Sequence, residues 1–426
     1  MFAVLPHADP WETVLQHAEA TEWLRASWCS QALLLAHQTG VPALLEQERA
    51  RRPDASMLKI IDEGWAARLW CLLQHQPALV QTRLEGAPAL HPLHAAVDSC
   101  YSRVALIKLL LAARAGINRR DSNGATALHR AACYCSTVTR LLIQNDACVN
   151  AKSRNFATPL HYAAQCGNPS VIALLLEARA TDLDATRAFN CSSRSHDGAN
   201  PLFLAVESDR ADSVQMLIAT GARGVNAKKG NGMSALLLAC ARGRVDIVSN
   251  LLSVNTEDPG QTSAIYQWSS DDDFTSPLME AADGGHVATV RLLLGARATL
   301  DSPSPNGEVP LITSVRAGHI DVVRLLLEAK AQNFNAAYNH PCFTPLYFAC
   351  SQGSQEIVEL LLEARARPFR RPPGKGPLDT AASHGHVELV RRLLAAGARD
   401  SHGQASAAAH ASGHRSVCTV LGHPLQ

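Results

Sequence analysis

The stretch SPLMEAADGGHVATVRLLLGARA, residues 276–298, decides the fold of this chain. Ser276 is a residue type that accepts a hydrogen bond from the first free amides of a helix, and the proline after it has a φ that already suits the first helical turn. Leu278 starts an apolar stripe, the Ala-Ala pair leaves room for close packing, and Gly285 tolerates the positive φ that ends a helix. The apolar residues that follow indicate a second helix. The stretch therefore predicts two short helices joined by a tight turn.

The same pattern occurs nine times at a nearly fixed step. Each unit carries a tetrapeptide with leucine at its third position, and the numbers of successive leucines differ by 35, 32, 42, 34, 42, 33, 35 and 32. In seven units the residue that ends the second helix follows that leucine at one constant distance, as in 297 − 278 = 19. Two unrelated helices would not keep one spacing so often, so each step is one structural unit. The leucines are Leu93, Leu128, Leu160, Leu202, Leu236, Leu278, Leu311, Leu346 and Leu378.

The rest of each step is a turn. The segment between the end of a second helix and the next leucine is usually too short for a third helix, as in 311 − 297 = 14. Asn-Gly pairs in this segment, such as Asn123-Gly124, favour a hairpin-like turn. The two longest steps place insertions at 181–200 and 256–276, both in the turn after a second helix. Insertions at one place in a repeat lengthen the loops of one face, often the binding face.

The order of turn, Thr-Pro-Leu-His, Ala-Ala, Gly-His, Leu-Leu-Leu and Gly-Ala resembles the ankyrin repeat. The resemblance covers about residues 91–400. It implies an all-α ankyrin-repeat solenoid of stacked helix-turn-helix pairs with β-hairpin-like turns, in which each repeat is a right-angled, L-shaped unit. It also implies a curved rod whose concave side consists of turn tips and first helices.

One position departs from the family pattern. The glycine that ends the second helix is kept at Gly221 and Gly397 and replaced in seven other units. A basic side chain there suits the negative end of the helix dipole, although a positive φ costs a non-glycine residue about 1 kcal/mol. The replacements are Arg114, Asp146, Arg179, Asn255, Arg297, Lys330 and Arg365.

The pattern weakens towards both ends of the chain. We expect an N-terminal helical cap region over 1–54 and a degenerate ankyrin-like repeat over 55–90. The array of about nine repeats then covers 91–400, and a degenerate C-terminal capping repeat covers 401–426. Terminal repeats of a solenoid need a polar outer face, so a weaker pattern is expected there.

Composition excludes several other classes. The 426 residues are 47% hydrophobic with a net charge of +1, and such a chain can supply the clustered cations that a nucleic-acid binder needs only as a local patch. The 12 cysteines include no CxxC pair. No stretch approaches the roughly 18 apolar residues of a membrane span, and the N-terminus lacks a signal-peptide pattern. We therefore expect no nucleic-acid partner, no membrane insertion, no metal or cofactor, and a cytoplasmic or nuclear location.

Catalytic signatures are also missing from the sequence. It contains no HExxH, GxSxG, GxxxxGK[ST] or kinase set. Most of the 18 histidines occupy repeat positions, where the resemblance implies that they brace turns and helix ends. Cys240 and Cys350 replace the second alanine of an Ala-Ala pair, which favours packing over reactivity. The sequence therefore predicts that the chain is not an enzyme.

Ankyrin arrays similar to this one serve as protein-interaction scaffolds, so we expect a non-catalytic scaffold that binds a partner protein along its concave face. The alternative is a substrate-recruiting adaptor of a larger complex, for example a ubiquitin ligase, with the N-terminal region as its recruiting module. If contacts follow the family's pattern, they come from residues flanking each turn glycine and from the pair before the helix-ending glycine. These are Asn123, Ala125, Tyr134, Asn155, Gln165, Glu207, Lys229, Met233, Arg242, Asp283, Glu308, Arg316, Phe343, Gln352, Ser383 and His384.

Overall fold

The computed structural model describes ten continuous ranges and a few single residues. The ranges are 77–84, 90–98, 104–178, 199–220, 232–254, 275–301, 307–335, 343–368, 376–400 and 403–422. The single residues are Met57, Ile61, Leu69, Leu72, Leu73, Ala227, Lys229, Pro303 and Ser304. The expected cap at 1–54, nearly all of both insertions, and Arg179, Gly221 and Asn255 lie outside the described residues.

Twenty α-helices in the described ranges form ten consecutive pairs, and the chain divides into two compact units at Arg223 and Gly224. Pro77–Gln81 is a 3-10 helix before the first pair. The pairs of the first unit are α1 (Pro92–Asp98) and α2 (Val104–Ala112), α3 (Ala127–Tyr134) and α4 (Ser136–Gln144), α5 (Pro159–Cys166) and α6 (Pro169–Glu177), and α7 (Pro201–Glu207) and α8 (Ala211–Ala219).

The second unit holds the other six pairs. They are α9 (Ala235–Ala241) and α10 (Val245–Val254), α11 (Pro277–Asp283) and α12 (Val287–Gly295), α13 (Pro310–Ala317) and α14 (Ile320–Glu328), α15 (Pro345–Gln352) and α16 (Gln355–Glu363), α17 (Pro377–Ser383) and α18 (Val387–Ala395), and α19 (Gln404–Ala411) and α20 (Arg415–Val420).

Within each unit the helices form two layers. First helices pack on the first helices of neighbouring pairs, as α3 does on α1 and α5, and second helices pack on second helices, as α12 does on α10 and α14. Alanine pairs of the first helices, such as Ala131 and Ala132, are completely buried and permit this close approach. The predicted all-α repeat fold is confirmed.

The helix starts follow the predicted capping chemistry. The side-chain oxygen of Asn200 accepts a hydrogen bond from the backbone N–H of Phe203 at 2.8 Å, and Ser234 accepts one from Leu237 at 3.2 Å. Proline occupies the first helical position of α5, α7, α11, α13, α15 and α17. The cap and the proline therefore determine the residue at which each of these first helices begins and the preceding turn ends.

The residues that replace the helix-ending glycine adopt the left-handed backbone conformation that glycine favours. Arg114, Asp146, Arg297, Lys330 and Arg365 end their second helices with φ of 61°, 64°, 64°, 66° and 66°. This left-handed region costs an L-residue about 1–2 kcal/mol. The chain therefore carries strain at the end of several second helices.

Substituting Lys330→Gly should stabilise the protein by about 0.5–1 kcal/mol, because relief of the left-handed strain exceeds the extra entropy of glycine in the unfolded chain. The neighbouring Ala329→Gly is the control, since Ala329 has an ordinary φ of −72° and its replacement should destabilise by a similar amount. Urea-induced unfolding followed by circular dichroism measures both. Equal losses of stability in the two variants would contradict the strain at Lys330.

A histidine after several first helices locks neighbouring pairs together. In the second unit, His319 Nε2 donates a hydrogen bond to the backbone carbonyl of Asp283 at 2.7 Å, and His414 Nε2 donates one to that of Ser383 at 3.1 Å. The ring of His319 lies so close to Gly285 that a Cβ there would stand 2.6 Å from its Nδ1. Position 285 therefore favours glycine for two reasons: the ring of His319 leaves no room for a Cβ, and the backbone φ at Gly285 is 69°.

Candidate partner-binding face

Where the structure describes the turn before a first helix, the turn contacts the C-terminal part of that helix, as Glu308 contacts Arg316. These turns and helix ends are called here the first-helix face of each unit. The sequence-predicted contact residues differ in exposure on it. Nine are exposed, namely Asn123, Tyr134, Asn155, Gln165, Arg242, Asp283, Arg316, Gln352 and His384. Five are partly buried, namely Glu207, Lys229, Met233, Phe343 and Ser383, and two are buried, namely Ala125 and Glu308.

Asp121 builds the turn before α3. Its Oδ1 accepts hydrogen bonds from the backbone N–H groups of Asn123 and Ala125, both at 2.8 Å, and its Oδ2 accepts one from Arg130 Nη2 at 2.6 Å. Burial acts to raise the pKa of Asp121, but the hydrogen bonds from Arg130 and from the amides of Ala125 and Asn123 outweigh it and hold the pKa below its usual value. The carboxylate of Asp121 is therefore ionised and stabilises the turn through these hydrogen bonds.

His129 joins this turn to the next one. The backbone N–H of Thr126 donates to His129 Nδ1 at 3.0 Å, so the ring proton lies on Nε2, which donates to the carbonyl of Ala157 at 3.1 Å. Burial lowers the pKa of His129 to about 4. His94 makes the equivalent bond to the carbonyl of Ala125 at 3.0 Å, and burial lowers its pKa too. The turn tips are thus held by neutral histidines.

Ala125 does not reach the surface, because its N–H and carbonyl close the hairpin and its side chain packs beneath it. The neighbouring tips also bond directly, since the backbone N–H of Arg154 donates to the carbonyl of Asn123 at 2.9 Å. Asn123 and Asn155 are exposed on these tips. The structure therefore brings two of the predicted residues onto adjacent tips and removes Ala125 from the contact surface.

In the second unit, predicted residues from three successive pairs contact one another. Arg316 Nη2 lies 2.8 Å from Glu308 Oε1 and 3.8 Å from Asp283 Oδ1. The hydroxyl of Thr313 donates to Glu308 Oε1 at 3.3 Å, which explains how a glutamate is buried there. Gln352 donates to the carbonyl of Arg316. Glu308 therefore supports Arg316 from below, while Asp283, Arg316 and Gln352 face outward.

Phe156 is a residue of this face that the sequence prediction missed. It lies one repeat step after Gly124, as 156 − 124 = 32, and adopts a φ of 60° in place of a turn glycine. It is 38% exposed, and Tyr134 at the end of α3 is 62% exposed. The signal was present in the sequence as a phenylalanine at a turn-glycine position, but the prediction considered only residues that flank this position.

Of the seven cysteines in the described residues, three are buried, three are partly buried and Cys148 is exposed. Burial raises the pKa of Cys350 to about 12 and raises that of Cys240 as well, which agrees with their predicted packing role. Cys133 Sγ donates to the carbonyl of Tyr162 at 3.9 Å. Across the described ranges, His, Cys, Asp and Glu side chains nowhere gather in a group of three that could hold a metal ion. Within the same ranges, no helix has both the length and the apolar character needed to cross a membrane.

The stacked pairs and their turn face define an α-helical repeat protein. A family model described as ankyrin repeats (three copies) matches residues 93–187, 184–263, 259–338, 278–372 and 332–403, which together cover more than half of the chain. The chain belongs to the ankyrin-repeat family. Ankyrin repeats are in general protein-protein interaction modules, and the fold is typically non-catalytic. A similar solved structure is the human ASB11 ankyrin repeat domain, with 25% identity over 56% of this chain and 98% of that chain and a TM-score of 0.44.

Proposed function

We propose that this chain is a non-catalytic protein-protein interaction scaffold that binds a partner protein along its first-helix face, the concave side expected of an ankyrin array. One observation carries the proposal. Asp283, Arg316 and Gln352 belong to three successive helix pairs and follow one another by direct contacts on this face. Such a row presents groups from several repeats to one partner at once.

The outward-facing ion pair between Arg316 and Asp283 contributes little to folding. The side chains of Arg316 and Asp283 are 44% and 59% exposed, and exposed ion pairs contribute about 0–1 kcal/mol to stability. Charged groups across a protein interface set specificity and association rate. The row is therefore better suited to selecting a partner than to holding the repeats together, which the buried leucines and alanines already do.

Reversing three charges of the face, with Arg242→Glu, Asp283→Arg and Arg316→Glu combined, should weaken partner binding at least about tenfold. Proximity labelling with mass spectrometry would identify the partner, and isothermal titration calorimetry would then measure its affinity for each purified variant. The Arg316–Asp283 pair is kept with opposite polarity. Because Arg316→Glu would also face the buried carboxylate of Glu308, the variant carries Glu308→Gln as well, and circular dichroism checks that it remains folded.

The matched control reverses the same kinds of charge on second helices, with Arg291→Glu, Asp321→Arg and Arg324→Glu. All three side chains are exposed on the second helices α12 and α14. Partner affinity should stay within about twofold of the parent protein. If the control weakened binding and the first triple variant did not, the second helices would be the binding surface and the proposal would be wrong.

The adaptor function is a narrower version of the same idea. It needs a second surface that recruits another protein, and the sequence offers residues 1–54 for this role. These residues lie outside the described part of the chain, so the adaptor stays a hypothesis.

A further inference from the structure

Two adjacent turn tips of the first unit carry a concentration of positive charge. They are formed by residues 116–125 and 148–157, and together they are called here the basic tip. The only carboxylate in these two segments is Asp121, which is buried and bound to Arg130. Among the described residues, no carboxylate forms an ion pair with any cation of the tip. The exposed cations are Arg119, Arg120, Lys152 and Arg154.

The two segments form one continuous surface. The backbone N–H of Arg154 donates to the carbonyl of Asn123 at 2.9 Å, and that of Cys148 donates to Asn118 Oδ1 at 2.8 Å. A Cβ on Gly124 would stand 2.8 Å from the backbone nitrogen of Arg154 and 3.1 Å from its Cγ. Arg154 thus lies in direct contact with the preceding tip, so the exposed cations of the two tips belong to one surface.

Phe156 adds an apolar group to this charged surface. Its φ of 60° is disfavoured for any residue with a side chain, and the equivalent turn positions Gly124, Gly232 and Gly307 hold glycine. Its ring is also partly open to water at 38% exposure. A strained backbone that presents an exposed aromatic ring indicates a functional contact, since glycine at this position would fold without strain.

We propose that the basic tip binds an acidic polypeptide segment whose carboxylates pair with its cations and whose apolar side chain covers Phe156. This inference rests on the proposed scaffold function and adds the chemistry of one partner segment. Carboxylates form charge-assisted hydrogen bonds with arginine, and a desolvated aromatic ring is a typical interface anchor. A polypeptide fits better than single-stranded RNA, because RNA binding uses a series of aromatic rings for successive bases and the tip offers one.

Fluorescence anisotropy with the full chain tests this inference. The probe is a fluorescein-labelled peptide with a central Trp flanked by Asp and Glu. Comparison probes replace Asp and Glu with Asn and Gln, replace Trp with Ser, or consist of oligouridylate of equal length. The acidic Trp peptide should bind at least about tenfold more tightly than the neutral peptide and the oligouridylate, and its affinity should fall with added salt. The Ser peptide should bind less tightly than the Trp peptide.

Three single variants test whether the peptide binds at the basic tip or elsewhere on the surface. Phe156→Asn keeps the turn, because asparagine tolerates a positive φ, and should weaken binding about tenfold. Arg154→Ser should weaken it about fivefold. Arg140→Ser removes an exposed cation from α4 and should change binding less than about twofold. Thermal unfolding of each variant shows whether the fold is intact.

Equal binding of the acidic and neutral peptides, or stronger binding of oligouridylate, would overturn the inference. Equal affinities of the Phe156→Asn, Arg154→Ser and Arg140→Ser variants would overturn it as well. The scaffold function is tested separately by the triple charge reversal in the second unit. If that variant lost its partner while the acidic peptide failed to bind, the scaffold would stand and the basic tip would be wrong.

Discussion

Replacing Gly285 by alanine should lower the free energy of unfolding by about 2–4 kcal/mol. A positive φ of 69° costs alanine about 1–2 kcal/mol, and the new methyl group would stand 2.6 Å from His319 Nδ1. The ring must then move and weaken its hydrogen bond to the carbonyl of Asp283, at a cost of about 1 kcal/mol, with added overpacking. Glycine's greater entropy in the unfolded chain offsets about 0.5–1 kcal/mol.

Gly318→Ala is the matched control. Gly318 has a similar φ of 78°, but nothing lies within 4 Å of its would-be Cβ, because the residue of the next pair that corresponds to His319 is Ser354, which has no ring. Its replacement should cost about 1 kcal/mol or less. Urea-induced unfolding of both variants gives the comparison, and His319→Ala in the Gly285→Ala background should remove most of the difference. Equal losses at the two glycines would show that the ring does not lock the pairs.

The protein should lose about 2 kcal/mol of stability through His129 alone when the pH falls from 7.5 to 5. The pKa of His129 is lowered from 6.5 to about 4, first of all by burial. The unfolded chain therefore takes up a proton below pH 6.5 that the folded chain refuses until about pH 4. The contribution of His129 to the free energy of unfolding is fully present above pH 6.5 and declines as the pH falls from 6.5 to about 4. The total loss below pH 4 is about 3 kcal/mol.

A His129→Gln variant isolates this contribution. Glutamine does not titrate, so the variant should be less stable than the parent at pH 7.5 because it lacks the bonds to Thr126 and Ala157. At pH 5 the gap should shrink by about 2 kcal/mol. Urea-induced unfolding at the two pH values measures the gap, and NMR titration of the ring reports the pKa directly. A constant gap, or a ring that titrates near 6.5, would contradict a buried neutral His129.

Much of the fold could be predicted because its determinants are local. The caps at Asn200 and Ser234, the prolines that start first helices and the residues that end second helices all act within a few positions of themselves. The positive φ at Lys330 was predictable for the same reason, since the spacing from the repeat leucine is constant. Such signals need no knowledge of which helices become neighbours.

The face was harder to predict because burial depends on neighbouring repeats. Glu308 is expected to be exposed from its charge, yet Arg316 and Thr313 satisfy its carboxylate and hold it inside. Ala125 is covered because His94, a full step earlier in the chain, bonds to its carbonyl. Phe156 could have been found from sequence, since it occupies a turn-glycine position, but its exposure follows only from the packing of the tips.

Hydrogen-exchange mass spectrometry of the chain with and without its identified partner tests the central claim most directly. Each pair supplies its own comparison, because its first and second helices have similar lengths. Binding along the first-helix face predicts slower exchange in the turns and in first helices such as α11, α13 and α15, with little change in α12, α14 and α16. Protection confined to the second helices would contradict the account.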